Sequence, residues 1–407
     1  MYNKVYDIEE YISPFMENIW TPILAMYSVL LEESEDYNLY SKCISGISNC
    51  IKICGLLGLD KVQKTAIITS LLTMTNLFQT KPITKKNILC IKEILLLANG
   101  DPRYCNIVWN LIFDLVDKIY FYLLFVTGSK SEKEEILNKM TSRLKKIPNY
   151  EEQIEIEKEN MKTIAKEIQS NDYEKIFVKS IKLGRDSITN FITSLCTLAK
   201  KQFKEDNITK IFWMQKIVEV SELNLYRVKI EWSGIWPIIR DFLIDVGLSL
   251  DINNSITAVD SLRQLAMKYL QMKETSDFHF QKEFFVPFQA IWDNSKSLQT
   301  KDYVISCINN LVLNEANSIK SGWIIIFNIY GTVTNIDNIN EDIIQRTLNT
   351  IYEISQKNFA DISDVFIDFC TCLKTFCKVS PQKVLSILDF FVQKLTKIEH
   401  FKVMLQC

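Results

Sequence analysis

Glycine and proline are scarce in this 407-residue chain, at 10 and 8 residues. Ten glycines make up about 2.5% of the sequence, against a usual roughly 7%. Turns that need a positive φ must therefore be few, which disfavours β-sandwiches, barrels and glycine-rich phosphate loops. Histidine is scarcer still. His279 and His400 are the only two, so no local histidine-based catalytic set or zinc finger is spelled out. An excess of charge of one sign is also missing. Forty-seven basic residues balance 49 acidic ones, for a net charge of −2. No basic stretch interleaved with aromatics appears, so nucleic acid is not an expected partner.

Long apolar runs are lacking too. The longest charge-free stretches, Thr65–Thr80 and Ser321–Ile336, have 16 residues each, short of the roughly 20 that a membrane span needs. Ile107–Val126 is interrupted by Asp114, Asp117 and Lys118, which marks a core helix rather than a span. The opening MYNKVYDIEEYISPF has acidic residues and no apolar core behind a basic flank, unlike a secretory signal. Eleven cysteines, an odd number in apolar surroundings, then read as reduced thiols of a cytoplasmic protein. The densest cluster is Cys370, Cys372 and Cys377, but on a helix Cys372 points about 200° from Cys370. Buried thiols are expected there, and no metal.

Catalytic motifs are likewise missing. There is no G-x-x-x-x-G-K-[ST] loop, no G-x-S-x-G elbow, no H-E-x-x-H helix and no EF-hand loop. His279 lies between Phe278 and Phe280, the setting of a half-buried, satisfied imidazole. No enzyme activity and no cofactor are expected.

What the chain does have is helical periodicity. Ala258, Val259, Leu262, Leu265, Ala266, Tyr269 and Leu270 fall within an arc of about 140° on a helix, opposite Asp260, Gln264 and Lys268. Ile343, Ile344, Thr347, Leu348, Ile351 and Tyr352 repeat the pattern, as do Val304, Ile308, Leu311 and Val312. Pro22, Pro237 and Pro287 sit near the start of apolar stretches, where a first helical turn tolerates proline. The expected fold is all-α: a HEAT/armadillo-like α-solenoid of antiparallel helix pairs, about 40 residues each. Gly128–Asp172 breaks the pattern, with charges crowding both halves and Pro148 between them. It is expected to be solvated, partly disordered or a projecting hairpin. The expected organisation is N-terminal helical repeats over 1–127, a charged insertion or linker over 128–176, and C-terminal repeats over 177–407.

Six stretches are more specific than composition. In order they are Phe15–Ala25 (FMENIWTPILA), Ile53–Asp60 (ICGLLGLD), Asn224–Trp236 (NLYRVKIEWSGIW), Ala258–Leu270 (AVDSLRQLAMKYL), Phe278–Phe288 (FHFQKEFFVPF) and Ala316–Trp323 (ANSIKSGW). Their order and wording resemble the large Arf guanine-nucleotide exchange factors of the brefeldin A-inhibited, BIG-type class. The resemblance runs from about residue 10 to 355 and is to the helical region just downstream of the exchange domain.

The resemblance implies a regulatory α-solenoid in vesicle traffic, peripherally bound at Golgi or trans-Golgi membranes. Such a region would help membrane recruitment and engage activated, GTP-bound Arf, with homo-oligomerisation through a longer parent chain. The family's exchange domain uses a Pro-Gly-Glu loop, and that tripeptide occurs nowhere here. Any exchange activity is therefore expected elsewhere in a longer protein. The alternative is a stand-alone helical-repeat scaffold or transport adaptor unrelated to exchange. The signature residues Asn224, Arg227, Glu231, Trp232, Asp260, Arg263, Gln264 and Trp323 carry either structure or partner contact. Arg263 falls about 140° from Ala258, at the rim of the apolar stripe. There it is expected to bridge a carboxylate or helix-end carbonyls of the next repeat.

Overall fold

The computed structural model describes residues 8–59, 61–145, 148–272, 280–336 and 339–404. His279 lies outside them. The described residues form twenty α-helices and three 3-10 turns, with no strand. None of these helices is long and apolar enough to cross a membrane. The fold is all-α and solenoid-like, and it divides into two compact units, Met1–Ile238 and Ile239–Cys407.

In the first unit the helices are α1 (Ile8–Glu33), α2 (Tyr37–Leu56), α3 (Lys61–Thr73), α4 (Lys85–Ala98), α5 (Pro102–Cys105), α6 (Trp109–Thr127), α7 (Lys130–Leu144), α8 (Tyr150–Glu167), α9 (Ser170–Val178), α10 (Arg185–Lys204) and α11 (Lys210–Leu223). They pack in two rows. One row runs α2–α4–α9–α11 and the other α1–α3–α6–α10. Where α1 and α2 touch, a Cβ on Gly46 would lie 2.4 Å from Cζ of Tyr27, so glycine lets the two helices approach closely. Trp109, Phe113, Phe177, Phe191, Phe212 and Trp213 fill the centre. Ring centroids lie 4.8 Å apart for Trp109–Phe191 and 4.9 Å for Phe113–Phe191, in edge-to-face geometry.

The charged stretch is folded. α7 opens with a capping box, Ser129 with Glu132, and α8 follows a turn in which Asn149 takes φ 57°. The two helices form a hairpin against α6. Ile136, Met140, Leu144, Met161 and Ile164 are buried beneath it. Those five apolar residues are joined by polar ties: buried Glu157 pairs with Lys118 of α6 at 2.9 Å, and buried Asn160 accepts from the Ile83 amide and donates to the Lys81 carbonyl.

α12 (Lys229–Gly247) runs across the division. The second unit continues with α13 (Ile252–Leu270), α14 (Phe280–Asn294), α15 (Leu298–Glu315), α16 (Trp323–Thr332), α17 (Glu341–Lys357), α18 (Phe359–Ser363), α19 (Phe366–Phe376) and α20 (Pro381–Met404). Its two rows are regular: α13–α15–α17–α20 and α14–α16–α19. The stripe predicted on α13 is buried at all seven positions, and that on α15 at all four. On α17, Ile343, Thr347, Leu348 and Ile351 are buried while Tyr352 is exposed.

The prolines are placed differently from expectation. Pro22, Pro237 and Pro287 lie inside α1, α12 and α14 rather than in first turns. The helices begin a turn or more before the apolar stretch does, so each proline removes an interior hydrogen bond. Pro102 and Pro381 do sit at helix starts.

Candidate functional site

The signature Asn224–Trp232 follows the end of α11. Asn224 is buried and closes that helix: its Nδ2 donates to the Val220 carbonyl at 2.8 Å and to Oγ of Ser180 at 2.9 Å. Its Oδ1 accepts from Nε of Arg227 at 2.6 Å. The same guanidinium donates through Nη1 to Glu231 at 2.9 Å. Through Nη2 it reaches the carbonyls of Ser180, Ile181 and Leu183 at 2.9, 3.0 and 2.7 Å. Those carbonyls belong to the 3-10 turn Lys179–Lys182 and the residue after it, whose carbonyls have no full helical partner set. Only a planar, permanently charged fork satisfies so many acceptors at once. Glu231 stands in the first turn of α12, where the helix dipole favours a carboxylate. Trp232 is buried and stacks on Trp236, centroids 6.2 Å apart.

A second group lies on α13. Asp260 Oδ1 accepts from Nε of Arg263 at 2.8 Å and Oδ2 from Nε2 of Gln264 at 2.8 Å. The hydroxyl of Tyr303, on α15, donates to Oδ1 at 3.3 Å. Burial pushes the Asp260 carboxyl up, but the bonds from Gln264 and Arg263 and the Arg263 charge outweigh it, leaving the pKa below its usual range. Arg263 thus pairs with a carboxylate of its own helix, 2.7 Å away, and not with the next repeat. A partner three residues off lies within its reach and needs no cross-helix register. Asp260 makes the cross-helix contact instead. The bridging arginine is Arg346 of α17, which donates to Asp302 at 2.6 Å and Ser306 at 3.0 Å on α15.

Trp323 opens α16, fully buried and stacked on Phe327 at 5.3 Å. Before it, a Cβ on Gly322 would come within 2.8 Å of the Phe285 ring. Gln281 holds the same turn, accepting from the Lys320 amide at 2.7 Å and donating to the Ser318 carbonyl at 2.8 Å. Two motifs quoted from the sequence, FHFQKEFFVPF and ANSIKSGW, therefore meet as one packing joint.

A further cluster was not singled out from the sequence as a site. Asp114, Asp117, Lys118, Lys139, Arg143, Lys201 and Gln202 line a cleft of about 490 Å³ among α6, α7 and α10. Asp117 accepts from Nε1 of Trp213 at 2.6 Å and from Nε2 of Gln202 at 3.0 Å. Burial raises its pKa above the usual range, against the lowering effect of the Trp213 bond. Lys118 is paired at 2.9 Å with Glu157 of α8, and burial lowers its pKa, with the Glu157 charge opposing. The signal available in sequence was the charged trio inside the apolar Ile107–Val126. Between α4 and α8 runs a groove of mixed charge, crossed by the Lys92–Glu167 ion pair at 3.1 Å. Among the described residues no group of three His, Cys, Asp or Glu side chains is placed to hold a metal. The described cysteines are all free, with Cys372 buried and Cys377 exposed.

A family model described as Mon2/Sec7/BIG1-like, HDS matches residues 268–353, which run from the end of α13 into α17. Over 94% of its length the chain is 26% identical to brefeldin A-inhibited guanine nucleotide-exchange protein 3 of Arabidopsis thaliana, of which it covers 24%. Over 90% of its length it is 29% identical to brefeldin A-inhibited guanine nucleotide-exchange protein 1 of Homo sapiens, covering 21% of that protein. The chain thus spans about a quarter or less of the length of these curated relatives. A solved engineered protein aligns with 94% of the chain at 10% identity and a TM-score of 0.26, too loose a superposition to carry a fold assignment. Across nine-tenths of its length, and through the matched HDS segment, this chain resembles a helical region of the BIG-type, brefeldin A-inhibited guanine nucleotide-exchange proteins.

Proposed function

We propose that the chain acts as a non-catalytic regulatory and interaction region of a Golgi Arf guanine-nucleotide exchange factor. It serves vesicle-mediated transport by helping to bring that factor to the membrane and by engaging GTP-bound Arf. The observation that carries this reading is the alignment along 90–94% of this chain with only 21–24% of the exchange proteins it matches. A segment of that proportion, built of stacked helices with buried aromatic joints, is suited to presenting surfaces. The exchange step itself belongs to a Pro-Gly-Glu loop that these 407 residues do not contain.

The test has two arms. Mant-GDP release from Arf on liposomes should stay at the spontaneous rate when the chain is added. Capture by immobilised chain should be stronger for GTP-locked than for GDP-locked Arf. Clear acceleration of release would overturn the non-catalytic part, and equal capture of both Arf forms would overturn the engagement of activated Arf.

A further inference from the structure

The stretch Tyr226–Glu231 is built inside out. Arg227 and Glu231 pair with each other, and Arg227 also bonds the backbone of the Lys179–Lys182 turn. Its apolar members face solvent: Tyr226 is 81% exposed, Val228 63% and Ile230 58%. On the other side of the clamp Val178 and Ile181 are half exposed. They are three residues apart at a 3-10 turn, a spacing that eclipses side chains onto one face. One exposed apolar residue is ordinary, but five on two segments tied together by one arginine make a patch of the kind that marks an interaction site.

The turn beside the patch is rich in basic residues, bounded by Glu174 on one side and the exposed Asp186 on the other. From Lys175 to Arg185 the chain carries Lys175, Lys179, Lys182 and Arg185 and no acidic residue. Lys175, Lys182 and Arg185 are exposed, as is Lys229 between Val228 and Ile230. Lys179 is partly turned away, donating to the Asn99 carbonyl. With four-fifths of its surface open, Tyr226 stands out from the protein rather than lining a groove. An outstanding tyrosine among aliphatic side chains, framed by lysines, is the composition that seats in a lipid–water interface.

We propose that Val178, Ile181, Tyr226, Val228 and Ile230 form a bilayer-contacting patch. The apolar tips enter the boundary between headgroups and acyl chains, and Lys182, Arg185 and Lys229 meet anionic lipid headgroups. The Arg227 clamp fixes the loop in advance, so little conformational freedom is lost on docking. The proposal rests on the reading of the chain as part of a membrane-acting factor, and it adds a contact that requires no GTPase.

Flotation of the whole chain with phosphatidylcholine vesicles, with and without phosphatidylserine and in the absence of Arf, tests it. Binding should favour the phosphatidylserine vesicles and fall as salt rises. Lys182→Ala should weaken it about fivefold, the effect of one lysine at an anionic surface. The double variant Tyr226→Ser, Val228→Ser should weaken it on the order of tenfold or more, with an unchanged thermal midpoint because both side chains are exposed. Equal binding to both vesicle types, or binding insensitive to these variants, overturns the patch. Loss of GTP-locked Arf capture in the double variant with vesicle binding intact makes it a protein contact, so the proposal falls and the functional reading stands. Variant-sensitive vesicle binding without any Arf capture leaves the patch standing and removes Arf from that reading.

Discussion

Lys118 and Glu157 are joined at 2.9 Å across the contact between α6 and α8, with Glu157 almost wholly buried and Lys118 mostly so. The ammonium also lies 4.5 Å from the centre of the Tyr122 ring, and Arg143 of α7 reaches the same carboxylate oxygen at 3.3 Å. One carboxylate thus fastens both arms of the charged hairpin to the stack.

Removing one partner of this pair should cost far more than removing both. Glu157→Ala strands a buried ammonium and should destabilise the first unit by about 3–5 kcal/mol. Lys118→Met with Glu157→Leu replaces the pair by apolar side chains of similar size and should be nearly neutral. Urea midpoints of the two variants check this, and equal losses would show that the pair is not the fastener.

Asp117 should tolerate amidation. Asp117→Asn keeps an oxygen for the Trp213 indole and removes a buried charge. Gln202 then flips its amide, turning toward the new Nδ2 the Oε1 that at present has no partner. Because burial raises the Asp117 pKa, the ionised carboxylate costs stability above that raised value, and the penalty disappears as pH falls through it. The asparagine variant should therefore match or exceed the parent at neutral pH and lose that advantage in acid. Asp117→Ala, which orphans the buried indole N–H, should lose about 1–3 kcal/mol. Thermal melts across pH decide it.

Arg227→Lys should fail to substitute. A single ammonium cannot serve Asn224, Glu231 and three carbonyls together. A loss of about 2 kcal/mol or more is expected, and hydrogen exchange of the 179–183 amides should quicken. Unchanged exchange there would mean that the turn holds itself.

Asp260 gives the opposite pH sign to Asp117. Its pKa is depressed, so its contribution is present above the unfolded-state value and is lost as pH falls through the folded one. Asp260→Asn should flatten the acid limb of the stability profile of the second unit, and Tyr303→Phe should flatten it slightly. Arg263→Ala should reduce stability by about 1 kcal/mol, discounted for its partial exposure.

The helices were legible because burial on one side repeats every 3.6 residues, and α13 and α15 show the predicted stripes buried throughout. The positions of prolines in α1, α12 and α14 were not, since tertiary packing extended those helices backward past the apolar onset. Nor was the folding of the charged hairpin, whose few apolar residues lie at 136, 140, 144, 161 and 164 among many lysines and glutamates. Their spacing of four and three is helical, but its worth depends on α6 being there to receive it. In the signature Asn224–Trp232 the residue types were visible while their directions were not. An exposed Tyr226 and an inward Arg227 reverse the usual hydrophobic rule, because the carbonyls of Ser180, Ile181 and Leu183 at a distant 3-10 turn draw the guanidinium in.

The alternating rows of the second unit have a kinetic consequence. Each helix there packs mainly against helices one to three places away along the chain, so its contacts close short loops. Such a stack acquires order by stepwise extension from any joint that forms first, and it frays from its end helices while the middle holds. The Gln281–Lys320 joint, with α13 before it and α17 to α20 after it along the chain, should therefore exchange its amide hydrogens more slowly than the end helix α20 and come apart later under load.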